Sequence, residues 1–190
     1  GISNVFGQEY AVFDLKIKDI NHLCLSEDEG QLIVSADREI QFFTIKSKTM
    51  VRSYEAHKKG INDFIYNPEE AWIMTCGDDK AVKMWNVSTS EMVFEKKFDH
   101  SYYKIDQIPG SKRMVALSDI GLHIYEIGNT LKPVNYFESK NYITFDIHPD
   151  GNSLAIGTKE GDIQFLNLSN FQVEKVLPAH KDWVRTLDFS

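Results

Sequence analysis

One period governs this chain. Phe43, Trp85, Tyr125 and Leu166 are spaced 42, 40 and 41 residues apart, and each closes an alternating run: EIQFF, AVKMW, GLHIY and DIQFL. An acidic residue precedes each run (Asp37, Asp79, Asp119 and Glu160). Prolines set a second register. YNPEEAWIM, QIPGSKRMV and IHPDGNSLAI place Pro68, Pro109 and Pro149 41 and 40 residues apart, each in a turn ahead of an apolar run, and LSEDEGQLIV is the same turn without proline. Histidines give a third: AHKKGIND around His57 and AHKDWVRT around His180 lie 123 apart, three times 41, with His100 and Lys140 near the two intermediate positions. Three registers with one period of about 41 mark an internal repeat, a unit that buries its apolar surface only by stacking on its neighbours.

Within a unit the residues alternate with period two, as at Ile61, Asp63 and Ile65 or at Val82 and Met84, which is the mark of half-buried strands. The clearest unit predicts four of them, over 61–66, 72–76, 81–86 and 91–95. No helical stripe of any length is present. Short strands with turns every 8–12 residues point to a sandwich, barrel or propeller, and a period of about 41 with four strands per unit selects the propeller. The fold class is therefore all-β, a β-propeller of four-stranded antiparallel blades. The repeats fall near 19–54, 60–98, 101–138 and 141–178. A fifth begins at 183, where HKDWVRTLDFS is expected to supply an inner strand, and 9–15 is expected to form a lone outer strand of a closing or preceding blade.

These residues resemble the WD-repeat family over nearly the whole chain. The second repeat matches best: His57 before the first strand, the small polar Thr75, the turn acid Asp79, and Trp85-Asn86 for the closing Trp-Asp. The resemblance implies a His–Thr–Asp–Trp hydrogen-bonded tetrad in that repeat. The other repeats depart from the pattern, with Phe43, Tyr125 or Leu166 in place of Trp, Lys140 in place of His and Glu160 in place of Asp, so a complete tetrad is expected in the second alone. It also implies a ring of roughly seven blades, of which four and a half repeats are an incomplete portion.

Several function classes lose ground on composition and motif. A net charge of −7 argues against a nucleic-acid partner, which draws on clustered Lys and Arg; KSKTMVR over 46–52 reads as a solvated face. No apolar run of about 18 residues predicts a membrane-inserted helix. Cys24 and Cys76 form no CxxC and read as buried free thiols, which fits a reducing, cytoplasmic setting. The histidines have no metal-ligand spacing, and GxSxG and the P-loop are absent, so no cofactor, metal or catalytic set is expected. The pair Asp78–Asp79 looks like a general acid/base dyad, but adjacent residues of an extended chain point to opposite faces. Asp79 is the recurring turn acid, and only Asp78 keeps a contact role. Asn86-Val-Ser88 and Asn167-Leu-Ser169 lie 81 apart, two periods, and mark one recurring turn rather than glycan acceptors.

The family resemblance further implies a protein-binding face at the mouth of the channel, built by residues flanking the first apolar residue of each inner strand and by the residue before the turn acid. Carried onto this sequence these are Asp19 and Asn21; Gly60, Asn62 and Asp78; Ser101 and Tyr103; Asn141, Ile143 and Lys159; Trp183 and Arg185. The expected function is a non-enzymatic scaffold recruiting proteins or peptides within a larger intracellular assembly. The alternative is a reader of short or modified peptides acting as a substrate adaptor, for example of a ubiquitin ligase.

Overall fold

The computed structural model describes residues 19–189. The expected outer strand at 9–15 lies outside them. Sixteen strands form four antiparallel sheets, each a meander in chain order. Blade one holds β1 (Ile20–Leu25), β2 (Gln31–Ala36), β3 (Glu39–Thr44) and β4 (Thr49–Glu55); blade two holds β5 (Ile61–Asn67), β6 (Trp72–Gly77), β7 (Ala81–Asn86) and β8 (Met92–Lys97). Blade three holds β9 (Tyr102–Gln107), β10 (Arg113–Ser118), β11 (Gly121–Ile127) and β12 (Leu131–Glu138); blade four holds β13 (Tyr142–Ile147), β14 (Ser153–Thr158), β15 (Asp162–Asn167) and β16 (Val173–Pro178). These are propeller blades. No helix of the described residues is long and apolar enough to cross a membrane.

Blades stack face to face through three apolar layers, and the two-residue alternation of each strand decides which layer a side chain joins. Ile73 and Trp85 face blade one, where they meet Ile33, Ile40 and Phe42. Their neighbours Met74, Val82 and Met84 face blade three and meet Tyr102, Met114 and Tyr125. Val115, Leu122 and Ile124 pass to the third layer with Phe145, Ile156 and Leu166. A central blade strand thus has a neighbour on both faces, which is why all six residues of β6 are buried.

The segment expected to be a fifth inner strand, 183–189, forms no strand. An inner strand is defined by its ladder with the second strand of its own blade, and no described residue supplies that partner. The segment is tied to blade four instead. Val184 donates its amide to the Thr158 carbonyl at 3.1 Å, and Phe189 donates to an Asp146 carboxylate oxygen at 2.7 Å. Gly157 is part of this seat, because a Cβ there would lie 2.7 Å from the Val184 carbonyl oxygen.

Each inner strand carries a bulge one residue into the strand, at Asn21, Asn62, Tyr103 and Ile143. The bulge turns the side chain toward the next blade. The Asn21 amide donates to the Ile61 carbonyl and Asn62 donates to the Tyr102 carbonyl at 2.9 Å. These two bonds staple blade to blade across forty residues of sequence. The Tyr103 hydroxyl bonds the Ser118 carbonyl of its own blade at 2.8 Å, with the Tyr142 carbonyl of the next blade at 3.3 Å. Asn62→Leu is expected to cost about 1–2 kcal/mol in chemical denaturation, because it leaves the Tyr102 carbonyl and Asp78 without their donor; a change below a few tenths would assign the inter-blade register to the apolar layers alone.

Candidate functional site

The four residues singled out in the second repeat converge. Trp85 Nε1–H donates to Thr75 Oγ at 3.1 Å, Thr75 Oγ lies 2.7 Å from His57 Nε2, and His57 Nδ1 lies 2.8 Å from Asp79 Oδ1. The other Asp79 oxygen accepts the Lys58 amide at 3.0 Å. His57 is 1% and Thr75 0% exposed. Burial pushes the His57 pKa down, against the pull of Asp79. Burial also works to raise the Asp79 pKa, but the His57 hydrogen bond, the Lys58 amide and the Lys83 charge outweigh it and leave the value lowered. Both directions describe one state, a neutral imidazole donating from Nδ1 to a carboxylate and accepting the Thr75 hydroxyl proton at Nε2. Trp85 Nε1, Thr75 Oγ, both His57 nitrogens and both Asp79 oxygens are engaged. The array locks the loop 56–60 to the β6–β7 turn. Gly77 permits the approach, since a Cβ there would stand 2.8 Å from both His57 Nδ1 and the Gly60 carbonyl oxygen.

The sequence reading missed Lys83. It is 7% exposed, donates to the Ala56 carbonyl at 2.9 Å, and lies 3.9 Å from Asp79 and 3.6 Å from Glu95. A lysine at the centre of AVKMW, in a strand buried on both faces, was the available signal.

Register explains why the other blades lack the tetrad. Counting back from the first inner-strand pair (Ile61 with Gly77, Tyr102 with Ser118, Tyr142 with Thr158, Ile20 with Ala36), the Thr75 position is filled by Ala116, Ile156 and Val34, none with a hydroxyl. The equivalence of His100 and Lys140 to His57 also shifts. His57 stands four residues before its inner strand; the same count reaches Phe98 and Glu138, because the connections 98–101 and 139–141 are shorter than 56–60. His100 therefore stacks on His123 at 5.0 Å, and its Nε2 is buried with no hydrogen-bond partner. Around this pair Tyr102 and Tyr125 join hydroxyls at 2.6 Å. The recurring acids Asp37 and Asp119 are surface residues without a histidine bond, and Cys24 is only partly buried whereas Cys76 is fully so, both free.

The candidate contact residues share the end of the blades where inner strands begin, but they do not share one state. Asn21 and Asn62 are occupied as inter-blade staples, and the Tyr103 hydroxyl is taken by the Ser118 carbonyl at 2.8 Å. Asp78 accepts from Asn62 at 2.9 Å, Gly60 accepts the Asp78 amide at 2.9 Å, and Asn141 accepts the Lys159 amide at 2.9 Å. Ser101 and Ile143 are half-buried, and Asp19 is exposed. Trp183 differs. It is 47% exposed, with Lys159 Nζ 5.9 Å and Arg185 Cζ 5.6 Å from its ring centroid. Among the described residues no group of three or more His, Cys, Asp or Glu side chains converges to hold a metal.

Comparison with known proteins follows the same lines. The family model described as "WD domain, G-beta repeat" matches residues 48–86. That stretch is β4 plus β5–β7, so one sequence repeat joins the outer strand of a blade to the first three strands of the next. The chain is 22% identical over 142 residues to mouse WD repeat-containing protein 90, covering 70% of this chain and 8% of that protein. It is 22% identical over 183 residues to the human tRNA (34-2'-O)-methyltransferase regulator WDR6, covering 88% of this chain and 15% of that protein. It thus spans under a sixth of the length of these relatives. Among solved structures it superimposes on the Cps50 (Swd1) β-propeller domain of Myceliophteria thermophila with a TM-score of 0.80 at 11% identity, covering 90% of this chain and 59% of that one. Repeat period, blade topology, the tetrad and these matches agree: the chain is a β-propeller built of repeats similar to those of the WD-repeat family.

Proposed function

We propose that this chain is the part of a non-enzymatic scaffold that recruits other proteins at the channel-mouth end of its blades, within a larger assembly in a reducing, cytoplasmic compartment. One observation carries the reading. The tetrad and staples hold that end rigid and consume most of its polar side chains, while Trp183 stays exposed between two cations. Tryptophan and arginine are the residue types that dominate interface energetics. The hydrogen bonds that engage the tetrad and the relation to WD-repeat propellers support a platform over a catalyst. Coverage of 59% of the propeller neighbour supports placing these four blades in a ring of roughly seven.

Affinity capture from cell extract with the full chain tests this. Trp183→Ala and Arg185→Ala are expected to lose captured proteins by about tenfold, the scale of one interface hot spot, with melting behaviour unchanged. Undiminished capture by both variants would move the interface to the blade edges or the opposite face. The adaptor reading, in which the face holds a short or modified peptide, draws support from the cation pair over Trp183.

A further inference from the structure

Lys159 and Arg185 flank the exposed Trp183 ring, and neither forms an ion pair among the described residues. The Lys159 ammonium donates to the Lys140 carbonyl, a neutral acceptor that leaves its charge uncompensated. Among the described residues the Trp183 ring is the one hydrogen-bonding, ion-pair or ring partner of the Arg185 guanidinium. Acidic neighbours exist in the sequence, but Asp182 turns its carboxylate to the Trp183 amide at 2.7 Å, and Glu160 bonds neither cation.

We propose that Trp183, Arg185 and Lys159 form a docking point for an extended acidic segment of a partner protein. The inference rests on the reading of this end as a protein-binding face and names its partner's chemistry. A guanidinium can keep its face on an indole while its edge takes a carboxylate in a two-pronged hydrogen bond, and the ammonium supplies a second point charge. The indole face offers apolar area beside the charges, which orients a peptide carrying a side chain or backbone stretch between its acids. Two uncompensated cations on a chain of net charge −7 suit a short acidic segment. A nucleic-acid strand needs a longer cationic track to follow its phosphates.

The test is selection from a random dodecapeptide library displayed on phage against the full chain, then fluorescence polarisation of the enriched peptides. Enriched peptides are expected to carry an excess of Asp and Glu over the input. Their affinity should fall about tenfold with Arg185→Gln or Trp183→Ala, about threefold with Lys159→Gln, and about tenfold when each acid is replaced by its amide. Added salt should weaken them. The proposal is overturned if no peptide is enriched or the enriched set shows no acidic excess. It is also overturned if Arg185→Gln leaves affinity unchanged, or if single-stranded oligothymidylate binds more tightly than the peptides with the same Arg185 dependence. Capture of cellular partners that is lost with Trp183→Ala but retained with Arg185→Gln and Lys159→Gln keeps the protein-binding face and removes the acidic partner. Capture unaffected by all three removes the face itself.

Discussion

His57→Ala is expected to lower the unfolding free energy by about 3–5 kcal/mol. The imidazole is fully enclosed and makes the 2.7 Å and 2.8 Å bonds to Thr75 and Asp79. Its removal opens a cavity the size of the ring. It also strands the Thr75 hydroxyl, and it leaves Asp79 beside Lys83 without the hydrogen bond that lowers its pKa. Thr75→Val, which keeps the shape and deletes the hydroxyl, should cost less, about 1–3 kcal/mol. The double variant should fall short of the sum by about 1 kcal/mol or more, since the two residues share one bonded chain. Equilibrium denaturation of the four proteins measures this. Additive costs, or a His57→Ala penalty under about 1 kcal/mol, would mean that apolar stacking alone holds blade two.

The second large effect is in acid and concerns blade three. Burial, with His100 second, pushes the His123 pKa down to about 4 from an ordinary value near 6.5, and burial lowers His100 as well. The groups facing the pair are Ser118, Tyr125 and Tyr136 around His123, Tyr102 against both rings, and Asp119, Asp99 and Lys80 around His100. A histidine held neutral in the fold binds protons more readily once unfolded. Its contribution is full above about pH 6.5, drains as pH falls, and is gone below about 4. Asp106, raised by burial to about 6, and Asp63, also raised, act in the opposite sense over part of this window. The informative quantity is therefore the difference between the parent and His123→Phe. The variant should match the parent within about 1 kcal/mol at pH 7.5 and gain on it by at most about 3 kcal/mol by pH 4. A difference that stays flat from pH 7.5 to 4 would show that His123 is not held neutral.

The period-41 registers and the two-residue alternation made the blade count and the strands of each sheet legible, because both follow from local chemistry. Turns demand their own residues, and a strand buried on one face alternates. The tetrad was legible because Thr75, Asp79 and Trp85 lie within eleven residues of one another, on adjacent strands joined by a tight turn. His57 was legible only through the family pattern. In the other blades the same pattern misplaced His100 and Lys140, since loop shortening slides a residue past its site without disturbing the strands.

By itself, then, the sequence determined that the chain builds four-stranded blades of one repeating kind and that blade two alone carries the complete hydrogen-bonded set. Tertiary structure decided the rest. It decided that the Asn21 and Asn62 amides are bonded to carbonyls of a neighbouring blade. It decided that Lys83 is drawn under Ala56, that His100 stacks on His123, and that Trp183 stands open between Lys159 and Arg185. These depend on partners some twenty to forty positions away, or on which face a bulge presents, and neither is encoded in any local pattern. Alternation fixes the faces of a strand; only packing fixes what each face meets.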